Sequence, residues 1–191
     1  MTSVRWLLPS APTSLLAATA LGAVVPVSVF ATSYATADEA ARRAFPTATA
    51  FKEVLVTPTP EDAAALAAPG APPHGPVRTI EARQGDTLLG RVVVDAVIGK
   101  FEQIDYTVAL GPDARVLAIE ILTYRENHGS EVRLPAWRNQ FVGKGPGDPI
   151  RIGADVANIS GATMSCTHIT DGVHRVVAWA ARLAGAKAAK S

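Results

Sequence analysis

The sequence predicts an α+β fold, an antiparallel sheet packed against helices, on three observations. Four β-rich runs follow one another through the middle of the chain, a Gly-Pro-Asp-Ala turn joins two of them, and one strongly periodic helix comes last. The runs are Val77 to Arg83, Thr87 to Ile98, Ile104 to Leu110 and Arg115 to Tyr124, all rich in Val, Ile, Leu and Thr. Gly111-Pro112-Asp113-Ala114 carries turn residues, so the last two runs form a hairpin and antiparallel pairing is the default. In the last run Leu117, Ile119 and Ile121 fall on one side of a pleated strand, so the sheet is expected to offer one face to helices. The helix is read from Ile169, Val173, Val176, Val177, Ala180, Leu183 and Ala184, which line one stripe at 3.6-residue spacing.

The remaining elements are shorter. Asp38 to Phe45 reads as a helix stopped by Pro46, and Phe51 to Val56 as a strand. Thr59-Pro60-Glu61-Asp62 starts another helix: a threonine to cap it, proline at its first position and acids in its first turn. That helix ends near Pro69, before a Pro- and Gly-rich loop, Ala68 to Pro76, in which His74 is read as solvated. After a polar loop, Glu126 to Glu131, Pro135 to Phe141 reads as a short helix, with Trp137 and Phe141 as core residues. Gly143 to Pro149 is a second loop, and the tail from Gly185 is expected to fray. There are no internal repeats.

Composition narrows the function classes. The net charge is +1 from 18 basic and 17 acidic residues, which gives no footprint for nucleic acid. A single cysteine makes neither an internal disulfide nor a thiolate metal site, and no two histidines stand at ligand spacing. No acid/base assembly is visible either. The hard chemistry, if any, comes from a bound group, and the chain is not read as an enzyme by itself.

The first 37 residues differ in kind. Arg5 is the only charge before Asp38, an apolar run extends from Leu15 to Phe30, and Ala35-Thr36-Ala37 offers small residues at the spacing signal peptidase accepts. This is a secretory signal or, in the competing reading, an uncleaved membrane anchor; cleavage is preferred. No cysteine follows the run, so it is not a lipoprotein signal. Arg42-Arg43 comes too late for a twin-arginine signal. The expected location is periplasmic or otherwise extracytoplasmic.

One segment carries chemistry. In Asp155-Val156-Ala157-Asn158-Ile159-Ser160-Gly161-Ala162-Thr163-Met164-Ser165, three hydroxyls crowd around a flexible glycine just before a helix. Free backbone N–H groups at a helix start attract anions, phosphate above all. From the residues alone, the preferred reading is that Ser165 or Thr167 simply caps the helix.

The string Ile159 to Ser165, followed by Thr170-Asp171-Gly172-Val173, resembles the flavinylation motif of the FMN-binding domain family. Members include the flavoprotein subunits of sodium-pumping NADH:quinone reductases and Rnf-type complexes, and small exported proteins. The resemblance extends back through Tyr124-Arg125-Glu126, Gly129 to Arg133 and Gln140 to Lys144, and covers most of Gly90 to Ala184.

It implies FMN joined through its phosphate to Thr163, with Ser165 as the second-choice acceptor and Ser160, Gly161 and Ala162 forming the rest of the motif. It implies a maturation partner, an FAD:protein FMN transferase, and a membrane or periplasmic electron donor and acceptor. It implies that the loop holding Glu126, His128, Gly129 and Glu131 faces the flavin or its phosphate, and that Lys144 neutralises the phosphate. His128 is read equally as a flavin donor or a solvated loop residue, and Glu131 and Arg133 as loop-orienting groups or a surface ion pair. Asp155 stands two positions earlier than the acidic residue of the tightest motifs, which leaves its role open.

The expected organisation is therefore 1–37 signal or anchor, 38–75 lead-in and Pro-rich loop, 76–185 FMN-binding domain and 186–191 tail. The expected function is electron transfer. An exported flavin-dependent reductase with its own small-molecule or quinone substrate is the first alternative, and a flavin-free binding or sensor module the second.

Overall fold

The computed structural model describes residues 32–66 and 75–188; His74 and most of the Pro-rich loop lie outside them. Six strands form one sheet: β1 Thr32–Ser33, β2 Ala50–Val56, β3 Val77–Gln84, β4 Thr87–Ile98, β5 Gln103–Leu110 and β6 Val116–Tyr124. Their spatial order is β1-β6-β5-β4-β3-β2 and every pair is antiparallel. The fold is α+β, with helices α1 Ala37–Ala44, α2 Pro60–Leu66, α3 Pro135–Arg138 and α4 Thr163–Ala188. Three-residue and four-residue 3₁₀ turns, Asn139–Phe141 and Ser130–Arg133, flank α3.

The long helix covers one face of the sheet. Ile169, Val173, Val176 and Val177 of α4 pack on Val93, Val97, Ile104, Tyr106 and Val108. Each such fully buried side chain contributes about 1.5–3 kcal/mol. α4 continues to Ala188, past Gly185, where fraying was expected. One glycine costs about 1 kcal/mol in a helix, too little to end one whose preceding turns are buried.

The sequence expectation of one covered face needs correction. Ala37, Ala40 and Ala41 of α1, with Phe45, bury the other face against Ile80, Ala82, Val92, Ala109 and Leu122. Small alanines let a short helix approach the strands closely, which explains why so alanine-rich a segment makes a second core.

The alternation expected in β6 also breaks. Ile119 and Ile121 are buried, but Leu117 is exposed and Val116 takes its place beside Leu110. The ladder slips between Ala109 and Leu110, so Leu117 is an extra residue in a β-bulge and turns outward.

Residues just before Asp38 belong to the fold. Thr32 and Ser33 pair with Tyr124 and Thr123, and Tyr34 N donates to Leu122 O at 2.8 Å. Thr36 caps α1 reciprocally with Glu39, and Ala37 is buried. The apolar run Leu15 to Phe30 lies outside the described residues, and no described helix is long and apolar enough to cross a membrane.

A buried polar group ties α4 to the sheet. Tyr106 donates its hydroxyl to Asp95, which also pairs with Arg175 at 2.7 Å. Burial, then the Asp95 charge, pushes the Tyr106 phenol well above its usual range, so it stays a donor. Gly172 faces this phenol, and a Cβ there would stand 2.0 Å from the hydroxyl oxygen. Gly172→Ala is therefore expected to destabilise the fold by about 1–3 kcal/mol, the usual cost of an overpacked core. A urea midpoint equal to that of the parent protein would show that the helix can shift without cost.

Candidate functional site

Three chain segments meet at one end of the sheet. They are the β4–β5 turn around Lys100 and Phe101, the loop Glu126 to Glu131 after β6, and Ser160 to Ser165 at the start of α4. They line a cleft of about 640 Å³, within the size range of cofactor pockets.

The start of α4 is held from two sides. Tyr124 sits at the end of β6 and donates its hydroxyl to His128 O at 2.6 Å. That uses its one proton, so the 3.0 Å contact with Ser165 has Ser165 as donor. Burial raises the Tyr124 pKa; the Ser165 bond opposes this and the charges of Glu126 and Glu131 add to it, so the phenol remains neutral. On the other side, His168 Nδ1 lies 2.5 Å from Ile98 O and 3.1 Å from Gly99 O. Carbonyls only accept, which assigns the proton to Nδ1.

Glycine is required where the loop crosses this helix start. Gly129 has φ +87°, and a Cβ there would lie 2.8 Å from Tyr124 Oη and 3.0 Å from Ala162 Cβ. Gly161, φ +86°, makes the turn that lets the helix begin at Thr163. The first amides of a helix have no partner within it, so this end presents donors to the cleft.

The motif hydroxyls differ in accessibility. Thr163 is exposed at the cleft, its Oγ1 accepting from Asn158 Nδ2 at 3.0 Å. Ser165 lines the same cleft but is buried and engaged with Tyr124. Ser160, Gly161 and Ala162 lie alongside.

Of the loop residues, Glu126, His128, Gly129 and Glu131 all reach the cleft. Glu126 is committed to shape: its Oε1 accepts from Phe101 N at 2.6 Å and Glu102 N at 2.9 Å and so fixes the β4–β5 turn. Glu131 and Arg133 are not paired with each other; the Arg133 guanidinium lies over the Tyr34 ring, 5.2 Å from its centroid.

Lys144 is a correction. It is not at the cleft but pairs with Asp155 at 2.7 Å. Asp155 also accepts from Ile150 N and Arg151 N, and so clamps the turn that leads into the motif. A lysine already neutralised in this way, outside the cleft, does not serve a phosphate there. Trp137 and Gln140 steady the same approach, donating to Ala157 O and accepting from Ala157 N. Trp137 and Phe141 are core residues, meeting edge to face with centroids 5.1 Å apart. Cys166 is fully buried, and burial raises its thiol pKa, so it stays protonated.

Lys100 and Phe101 were missed in the sequence, and Asn127, Ser130 and Met164, though inside the expected loop and motif, were not singled out. Phe101 is 74% exposed and Met164 44% exposed, both at the cleft, with the Lys100 ammonium 4.8 Å from the Phe101 ring centroid. A phenylalanine in a tight turn, where no core is available, was the signal.

Residues 99–178 match the family model described as FMN-binding domain. This segment belongs to that family. FMN is the cofactor of the domain, and the matched stretch contains every residue of the cleft. The cleft fits such a group: it is roomy, its mainly polar lining includes the apolar side chains of Phe101, Ala162 and Met164, and it has an exposed threonine at a helix N-terminus. The crystal structure of NqrC from Shewanella oneidensis shares the fold, at a TM-score of 0.52 and 16% identity, over 76% of this chain and 88% of that one. No curated protein matches the chain.

Two outcomes are expected. Gly129→Ala strains a left-handed backbone position and crowds Tyr124, so FMN occupancy should fall along with about 1–3 kcal/mol of stability; full occupancy in the purified variant would show that the loop has slack. Asp155 gives a pH dependence. Partial burial works to raise its pKa, but Lys144 and the amides of Arg151 and Ile150 outweigh this and hold it below the ordinary 3.8. Its contribution is therefore complete above that value and is lost as pH falls through the lowered folded value. Asp155→Asn should cost about 1–3 kcal/mol at neutral pH, with the gap to the parent narrowing in acid; a constant gap in denaturant titrations across that range would refute the clamp.

Proposed function

We propose that the chain is an extracytoplasmic electron-transfer flavoprotein that carries FMN through a phosphoester on Thr163. The observation that carries this reading is the exposed Thr163 hydroxyl, standing at the first residue of α4 and opening on the cleft.

Each part of the chain has a task in this reading. The α4 amides and dipole favour the phosphate. Thr163 Oγ1 bonds to phosphorus, and Asn158, which donates to that oxygen, orients it for the reaction. Ser165 is the poorer acceptor, because its hydroxyl is buried and already donates to Tyr124. Phe101 and Met164 supply apolar wall, and Gly129 lets the loop close on the helix start. FMN, when bound, supplies one- and two-electron transfer; the protein positions it and sets its potential. Neither Tyr124 nor Cys166, whose protons are held by burial, offers acid/base chemistry near neutral pH.

The bond is made by an FAD:protein FMN transferase outside the cytoplasm. The Thr163 oxygen attacks the flavin-side phosphorus of FAD, the phosphoanhydride to AMP breaks, and AMP leaves with the threonine proton. A membrane or periplasmic donor and acceptor complete the electron path.

Co-expression with such a transferase should add the mass of one FMN less one water to the denatured chain. Thr163→Ala should abolish the gain, Thr163→Ser should keep it, and Ser165→Ala should keep it. A gain that persists in Thr163→Ala and vanishes in Ser165→Ala would move the link to Ser165.

A further inference from the structure

We propose that Lys100 is the cation that meets the phosphate of the attached flavin. This rests on the Thr163 linkage proposed above and fills the role that the sequence suggested for Lys144.

The need for a cation follows from the charges already present. A phosphodiester on Thr163 brings a permanent negative charge into the cleft. Two carboxylates, Glu126 and Glu131, line that cleft. Both charges are felt at the start of α4, because both help to raise the pKa of the Tyr124 phenol that bonds Ser165. The ion pairs among the described residues include neither carboxylate. The α4 dipole offsets part of this repulsion, but it supplies only a partial charge.

Elimination names the cation. Lys100 is the one lysine or arginine that lines the cleft among the described residues. Other basic side chains of the same region are committed. Lys144 pairs with Asp155 and Arg125 with Asp105 at 2.8 Å, while Arg133 lies over the Tyr34 ring.

Lys100 is both placed and free. Its neighbour Gly99 is tied to the helix that carries Thr163, since Gly99 O lies 3.1 Å from His168 Nδ1, five residues after Thr163. The turn itself is pinned: Gly99 N donates to Glu102 O at 2.8 Å, and Glu126 accepts from the amides of Phe101 and Glu102. On this fixed base the side chain is mobile. No described ion pair includes Lys100. Its ammonium rests 4.8 Å from the Phe101 ring centroid, a weak contact at an exposed site that a phosphate readily displaces. An ammonium is a compact point charge on a flexible stem, which suits a phosphate whose position is set elsewhere, here by Thr163.

The test compares each full chain, in neutral detergent, with and without a co-expressed transferase. The mass of the denatured chain reports attachment, and the readout is the change in melting temperature that attached FMN produces. Lys100→Gln should lower that change by about 2–4 °C, the response of a domain this size to one charge contact, and leave the flavin-free form as stable as the parent. Lys100→Arg should restore it. Glu131→Gln removes an opposing charge and should raise it. Lys144→Gln should destabilise both forms alike and leave the change as it is. Reduction alters the ring and not the phosphate, so the Lys100→Gln deficit should be equal in oxidised and dithionite-reduced protein. About 1 M sodium chloride should shrink it.

A Lys100→Gln chain that takes up no FMN, with uptake restored by Lys100→Arg, would also support the proposal. It is overturned by an unaltered change in Lys100→Gln, by a deficit found in His128→Gln instead, or by loss of attachment in both Lys100 variants. A deficit confined to the reduced protein would put Lys100 at the ring and overturn it as well. Absence of a mass gain in the parent defeats the attachment reading itself, so the two failures are distinguishable.

Discussion

The site depends on one tyrosine hydroxyl. Tyr124 ends the strand β6, and its oxygen accepts from the first turn of α4 while its proton goes to the backbone of the loop that crosses over it. The end of β6, the loop four residues on and the start of α4, 41 residues on, are thereby fixed to one another at hydrogen-bond distance. Gly129 makes this possible, because any side chain at that position would occupy the space the phenol needs. Burial keeps the phenol neutral, so the arrangement does not change charge under ordinary conditions.

The rest of the fold supplies rigidity to that junction. α4 is locked along its length by its apolar stripe and, near its middle, by the buried Arg175–Asp95–Tyr106 group. Breaking such a pair on one side is costly, since it strands a charge in the core. His168 anchors the helix start to the end of β4, and Glu126 fixes the neighbouring turn through two amides. Carboxylates that look catalytic in a list of residues are here spent on backbone geometry. Glu126 and Asp155 both hold turns that frame the site.

The reading of the sequence went furthest where chemistry is local. Strand limits, the α4 stripe and the Thr59 cap follow from alternation, periodicity and hydrogen bonds within four residues, and strands β2 to β6 lie within a residue of the expected runs. It went wrong where the answer lies in a partner strand or a facing helix. Leu117 turns outward because β5 lacks a residue opposite it, which nothing in β6 reveals. Lys144 sits in a Gly-rich loop that suits a phosphate, yet Asp155, eleven residues on, claims it. Phe101 looked unremarkable because its importance comes from the cleft beside it.

The sequence by itself determined the α+β class and the helix that carries the motif, since hydrophobic period is written along the chain, while Thr163 stood out among three nearby hydroxyls only through the resemblance to a known motif. Tertiary structure alone decided which hydroxyl is accessible, which charges are already neutralised and which end of the sheet the N-terminal segment leaves from. The reason is physical. Exposure, pairing and direction are properties of what lies across a gap, and the residues across these gaps are 41 positions apart for Ser165 with Tyr124 and 92 for Thr32 with Tyr124.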